Sequence, residues 1–122
     1  PTTLLGMKAT TCPLGRTVEA NGYPFKMCEL LSTLDGACYL ERTSVHAPAN
    51  VLKTKKAIKK AFTYQLEGRG FTMVEVLSPC PTDWAMTPLK AIERIKNEMI
   101  PFFPLGVFKS PDPKAKLIPV TV

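Results

Sequence analysis

Gly70-Phe71-Thr72-Met73-Val74-Glu75-Val76-Leu77-Ser78-Pro79-Cys80-Pro81-Thr82-Asp83-Trp84 decides how this chain folds. Phe71 to Leu77 is dense in β-branched and apolar residues and is bounded by Gly70 and Pro79, so it reads as a strand. Two prolines then bracket Cys80. Each fixes its own φ and pushes the residue before it toward extended backbone, so the chain must turn a corner there. Thr87-Pro88 starts the next helix, with proline at the first helical position, and the pattern carries to about Met99.

Upstream, the spacing predicts a lysine-rich helix over about 51 to 67, with Asn50 as its N-cap and Gly68-Arg69-Gly70 as its stop. Val51, Ile58, Phe62 and Leu66 fall on one face of it, and lysines occupy the rest. Ala37 to Val45 reads as another strand, preceded by a helix in which Met27, Leu30, Leu31 and Leu34 share a face and which Asp35-Gly36 ends. Residues 1 to 22, rich in Thr, Gly and Pro, read as an extended lead-in loop. We therefore divide the chain into that loop, an α/β layer over 23 to 108, and a proline-rich tail over 109 to 122.

Helix, strand, helix, strand, helix with short joints is the order of parallel strands covered by helices. Two strands make a poor sheet, so the expected fold class is α/β with a partial parallel sheet and flanking helices that needs strands from elsewhere. The run Ile100 to Phe108 holds too many large apolar groups for an exposed tail. It either packs back or forms an interface, and we expect the interface.

Composition narrows the function classes. The chain has 122 residues, 45% hydrophobic and 21% charged, enough for one modest domain. Its net charge of +6 comes largely from Lys53 to Lys60, which reads as a solvated helix face. Without interleaved arginine and aromatic residues, we expect no nucleic-acid surface. No apolar run reaches the length of a membrane span, and no signal peptide pattern is present. Cys12, Cys28, Cys38 and Cys80 show no C-x-x-C spacing and there is one histidine, His46, so no zinc or iron–sulfur ligand set is expected. Cys28 and Cys38 sit in apolar segments and read as reduced, buried thiols, which favours the cytoplasm. The chain opens on Pro1-Thr2-Thr3 without an initiator methionine, and we expect a chain cut from something longer, or trimmed.

Two residues fall just past strand ends, His46 and Cys80. In open α/β sheets ligands gather at that edge. For Cys80 the metal reading lacks partner ligands, and a redox thiol needs an activating surrounding. A fixed corner remains: Pro79 and Pro81 constrain the backbone, Cys80 is small and semi-buried, Thr82 or Asp83 caps the next segment, and Trp84 anchors it. His46 either faces a substrate or partner or is a structural or solvated turn residue. Arg16 could pair with a carboxylate or a CoA phosphate, or lie on the surface.

The deciding stretch, together with Met86-Thr87-Pro88, Asn97-Glu98-Met99-Ile100-Pro101 and Pro104-Leu105-Gly106-Val107-Phe108, resembles the beta, thiamine-diphosphate-binding subunit of 2-oxoacid:ferredoxin oxidoreductases. Glu41 to His46, Lys55 to Phe62, Pro1-Thr2-Thr3 and Cys12-Pro13-Leu14-Gly15-Arg16 resemble it too, most closely in the 2-oxoglutarate and branched-chain 2-oxoacid types. The resemblance implies the C-terminal half of a thiamine-diphosphate-binding domain. The family's Gly-Asp-Gly-Asp motif and following asparagines, which hold Mg²⁺ and the diphosphate, have no counterpart in these residues. It implies that Pro1, Thr2 and Thr3 line the edge of the cofactor site, and that Arg16, His46 and Cys80 lie at a substrate or subunit edge. No catalytic residue and no metal ligand is carried over.

The activity implied is oxidative decarboxylation of a 2-oxoacid to acyl-CoA with reduction of ferredoxin. Iron–sulfur clusters and CoA would be handled elsewhere, by alpha- and gamma-type subunits and the missing N-terminal half, and the isolated chain would be inactive. The competing reading is an independent assembly or anion-binding module that retains the half-fold.

Overall fold

The structure, a computed structural model, describes residues 3–120, so Pro1 and Thr2 of the expected cofactor edge lie outside the described residues. Helices α1 (Val18–Asn21) and α2 (Met27–Ser32) precede strand β1 (Ala37–Ser44), helix α3 (Pro48–Leu66) and strand β2 (Phe71–Leu77). Helix α4 (Pro88–Arg94) continues through a π-helical turn, Ile95–Met99, into the short α5 (Ile100–Phe102), and β3 (Gly106–Lys109) follows.

The sheet order is β2-β1-β3. β1 and β2 run parallel, in register from Tyr39 opposite Thr72 to Ser44 opposite Leu77, with α3 as the crossover. The α/β layering is therefore as the sequence predicts. The third strand, β3, is antiparallel to β1 and makes the sheet mixed.

One face of the sheet is covered by α3 through small residues. Thr54, Ala57 and Ala61 are buried, the Thr54 hydroxyl donates to the Ser44 carbonyl at 3.0 Å, and the Thr72 hydroxyl donates to the Ala61 carbonyl at 3.3 Å. Tyr64 meets the buried Tyr39 edge to face with ring centroids 5.4 Å apart. This corrects the expected apolar face of α3: Ile58, Phe62 and Leu66 are 39, 63 and 90% exposed. Thr54, Ala57 and Ala61 take the positions that face the sheet, and the larger apolar side chains are turned away from it.

α3 also begins earlier than the sequence suggests. Pro48 occupies its first turn and Ala47 is its N-cap, without a side-chain cap bond, so Asn50 lies inside the helix. α4 is capped as expected by the Thr87 hydroxyl, which accepts from the Lys90 N–H.

The opposite face carries two apolar clusters. Cys28, Ala37, Leu40 and Phe108 form one; Leu77, Ile95, Met99 and Phe103 form the other. Each fully buried Leu, Ile or Phe contributes about 1.5–3 kcal/mol. The apolar run from Ile100 to Phe108 thus supplies core residues and β3 instead of the expected interface: Phe103 and Phe108 are buried. The π turn prepares that path. The Ile100 N–H reaches back to the Ile95 carbonyl, and Pro101, which has no N–H to give, sits in the turn that follows.

The tail folds back as well. Ile118 N–H donates to the Val107 carbonyl at 2.7 Å, and Ile118 and Val120 pack on the first cluster. Gly106 makes this possible, with φ +150° and room for no side chain, since an added Cβ would lie 2.7 Å from Ile118 Cγ1.

Candidate functional site at the carboxyl edge of the sheet

Because β1 and β2 are parallel and in register, both end on the same edge of the sheet. The Val45 N–H donates to the Leu77 carbonyl at 3.1 Å, which brings the start of the His46 turn level with the start of the Cys80 corner. His46 is half-buried, its Nδ1 2.8 Å from the Ser44 hydroxyl, and that hydrogen bond orients the ring. Cys80 is exposed, more open than the semi-buried side chain the sequence suggests, and all four cysteines are free thiols.

The corner is held by its own backbone. Trp84 N–H donates to the Cys80 carbonyl at 3.0 Å and Met86 N–H to the Pro81 carbonyl at 3.0 Å, while Ala85 adopts φ +51°. Trp84 packs on the Leu77, Ile95, Met99 and Phe103 cluster, with the Arg94 guanidinium 5.8 Å above its ring. Asp83 caps no helix. Its carboxylate and carbonyl hold Thr10, so the lead-in loop is tied to the corner across 73 residues of sequence. A hollow of about 540 Å³, lined by Pro81, Thr82, Ala85, Met86, Thr87 and Lys90, opens beside it.

Arg16 is placed elsewhere and is buried. Its guanidinium donates to the carbonyls of Asn21, Gly22 and Tyr23 at 2.9–3.0 Å and to the Thr3 hydroxyl at 3.2 Å. These contacts organise the lead-in loop around α1. Thr3 is thereby fixed as a partner of Arg16.

Sequence reading missed the most strongly organised polar group. Arg42 of β1 is wholly buried. Its Nε donates to Glu75 at 2.7 Å, its two Nη donate to Glu29 at 2.9 and 2.5 Å, and Nη1 also donates to the Pro104 carbonyl at 3.2 Å. Phe103 and Phe108, one from each cluster, flank the guanidinium with centroids 5.3 and 4.9 Å away. Burial pushes the Glu29 carboxyl up, but the Arg42 hydrogen bonds and charge outweigh it and hold Glu29 below its ordinary value. Burial likewise opposes charge on Arg42, and the Glu29 and Glu75 carboxylates hold its pKa above the usual value. Burial, followed by the Glu75 charge, pushes the Cys28 thiol far up, so it is no reactive thiolate. The signal available in the sequence was a glutamate within the apolar run Phe71–Leu77 and an arginine within Ala37–Ser44.

Curated relatives match most of this chain. The ketoisovalerate oxidoreductase subunit VorA of Methanothermobacter marburgensis is 43% identical over 109 residues, 89% of this chain and 23% of that subunit. The VorA subunit of Methanothermobacter thermautotrophicus is 42% identical over the same length. The 2-oxoglutarate synthase subunit KorB of Archaeoglobus fulgidus is 30% identical over 97 residues, 80% of this chain and 32% of that subunit. The chain is a partial homologue of 2-oxoacid:ferredoxin oxidoreductase subunits.

It spans about a quarter to a third of the oxidoreductase subunits it matches, a smaller share than the half that the resemblance implies. No protein-family model matches the chain, and no solved structure does. The described residues hold no group of three or more His, Cys, Asp and Glu able to bind a metal ion. No helix among the described residues is long and apolar enough to cross a membrane.

Proposed function

We propose that this chain is one portion of the thiamine-diphosphate-binding, beta-type subunit of a cytoplasmic 2-oxoacid:ferredoxin oxidoreductase. The whole enzyme oxidatively decarboxylates a branched-chain 2-oxoacid to its acyl-CoA and passes the electrons to ferredoxin. The observation that carries this reading is the 43% identity to a ketoisovalerate oxidoreductase subunit across 89% of the chain. The lower identity to 2-oxoglutarate synthase subunits, 30 and 37%, favours a branched-chain substrate over 2-oxoglutarate.

In that enzyme the cofactor supplies the carbanion chemistry when bound, and its Mg²⁺ and diphosphate are held by the rest of the subunit. This chain supplies a wall. The paired ends of β1 and β2 place the Ser44-oriented His46 and the Cys80 corner at the edge where α/β sheets bind ligands. The lead-in loop, locked by Asp83 and Arg16, carries Thr3 toward the cofactor edge, and alpha- and gamma-type subunits complete the site. Alone, the chain turns over no substrate.

Five exposed lysines on α3, Lys53, Lys55, Lys56, Lys59 and Lys60, favour as second reading an independent module that binds an acidic partner. Affinity capture of the chain from the cells that make it separates the two. Recovery with larger subunits, iron–sulfur absorbance and 2-oxoacid-dependent dye reduction supports the enzyme reading. Recovery with a colourless acidic partner, released by moderate salt, supports the module and overturns the first.

A further inference from the structure

The two edges of the sheet are finished differently. Beyond β3, the returning tail forms a bridge, Val107 with Leu117, and the Ile118 N–H takes the Val107 carbonyl. Beyond β2, the sheet order ends. Phe71 N–H donates to the Gly36 carbonyl and the Leu77 carbonyl accepts from Val45, so the odd-numbered residues of β2 turn their backbone groups toward β1. By the alternation of a strand, the N–H and C=O groups of Thr72, Val74 and Val76 turn outward. They have no strand partner among the described residues.

Beside that bare edge runs the stripe that α3 does not bury. Ile58, Ala61, Phe62 and Gln65 of α3, with Thr72 and Val74 of β2, line a groove of about 180 Å³. Phe62, in its lining, is 63% exposed. A parallel strand with an apolar sequence belongs inside a sheet, and a bare one is a template for pairing.

We propose that β2 is an internal strand of a wider sheet, and that the element beside it is a β-strand from the part of the subunit that the relatives possess outside the matched stretch. That strand hydrogen-bonds to Thr72, Val74 and Val76 and sets apolar side chains against Ile58 and Phe62. The proposal rests on the reading given under Proposed function. The VorA subunits carry more than three-quarters of their length outside the match, enough to supply it. A second copy of this chain suits the edge poorly. Lys55 and Lys59 flank the apolar stripe on α3, the chain carries a net charge of +6, and a two-fold pairing would bring like charges together. The same lysines favour acidic residues bordering the incoming strand.

The test is residue-resolved amide hydrogen exchange of this chain, alone and mixed with a polypeptide comprising the Methanothermobacter marburgensis VorA subunit without its matched stretch. Binding that slows Thr72, Val74 and Val76 by about tenfold or more, while β3 is unchanged, is the expected result. Binding without that protection overturns the β2 assignment and leaves the functional reading standing. No binding overturns both. Protection in the chain alone that grows with its concentration assigns the edge to a second copy and overturns the proposal.

Val74→Pro removes an outward N–H that no ladder bond uses, so it leaves the isolated chain folded and abolishes the protected complex. Phe62→Lys, at a position 63% exposed, is the companion variant should the proline disturb folding. It weakens the complex at least tenfold with the melting curve of the chain unchanged. Unweakened binding of Phe62→Lys contradicts the groove.

Discussion

Arg42 and Glu75 are register partners across the parallel pair β1–β2, and the Arg42 Nε lies 2.7 Å from a Glu75 oxygen in the interior of the chain. With Glu29 as the second acceptor, one guanidinium joins α2, both parallel strands and the turn before β3. Such a group fixes geometry more than it adds stability. Its desolvation is costly, and the fold keeps it only because nearly every donor is satisfied. Arg42→Met leaves two carboxylates facing each other and should cost about 3–5 kcal/mol in urea denaturation. Replacing all three charges together by apolar residues of similar volume should recover most of that loss. A single-variant loss below about 1 kcal/mol would contradict the account.

Stability should depend on pH at both ends. Glu29 has a folded pKa below its ordinary 4.5, so its contribution is present above that value and is lost as pH falls through and below it. Cys28 and Tyr39 have folded pKa values raised, first by burial, above the ordinary 9.0 and 10.0. The unfolded chain then releases those protons before the folded one does, so stability falls as pH rises above about 9. Each group adds a slope of about 1.4 kcal/mol per pH unit at most. Denaturation midpoints from pH 3 to 11 should trace a plateau with two falling limbs, and Cys28→Ala should flatten the alkaline one.

Ala85 holds φ +51° in the corner, a conformation costly for any residue with a Cβ. Ala85→Gly should relieve it and gain roughly 0.5–1 kcal/mol, after the larger entropy glycine loses on folding. The gain should appear as a raised melting temperature. A loss would mean that the corner is held by packing of the Ala85 methyl.

Gly106 poses the reverse case. Gly106→Ala places a Cβ 2.7 Å from Ile118 Cγ1 at a positive φ, and should cost about 1–3 kcal/mol. Exchange in the tail around Ile118 should rise first, because the tail must move to admit the methyl. An Ile118→Ala background should restore part of the loss.

Cys80 is exposed and stands in no metal-ligand group among the described residues. Cys80→Ser in the assembled enzyme should leave turnover near that of the parent, since the prolines on either side set the corner. Abolished turnover in a correctly assembled complex would make the thiol chemical.

Much of this architecture was legible in the sequence, and the exceptions share a cause. Phe71–Leu77, the corner and the Thr87-Pro88 start announce themselves through local chemistry: apolar β-branched runs, paired prolines, a hydroxyl cap. The buried face of α3 does not. Helical periodicity marks Val51, Ile58, Phe62 and Leu66 as apolar, but which stripe is covered depends on how the helix is turned on the sheet, and that rotation buries Thr54, Ala57 and Ala61. β3 was hidden by the prolines that flank it, Pro104 and Pro111, and by pairing with a strand more than sixty residues earlier. Of the candidate site residues, position past a strand end was enough to place His46 and Cys80 on one edge. Arg16 reads as a loop cation in sequence, and only the fold shows it occupied with the carbonyls of residues 21 to 23.

The most direct measurement exchanges this chain for its matched stretch within the ketoisovalerate oxidoreductase VorA subunit and assays the reconstituted enzyme. The exchanged subunit should assemble with the partner subunits and support ketoisovalerate-dependent reduction of ferredoxin, above that of the subunit lacking the stretch. An exchanged subunit that folds but neither assembles nor turns over would contradict it.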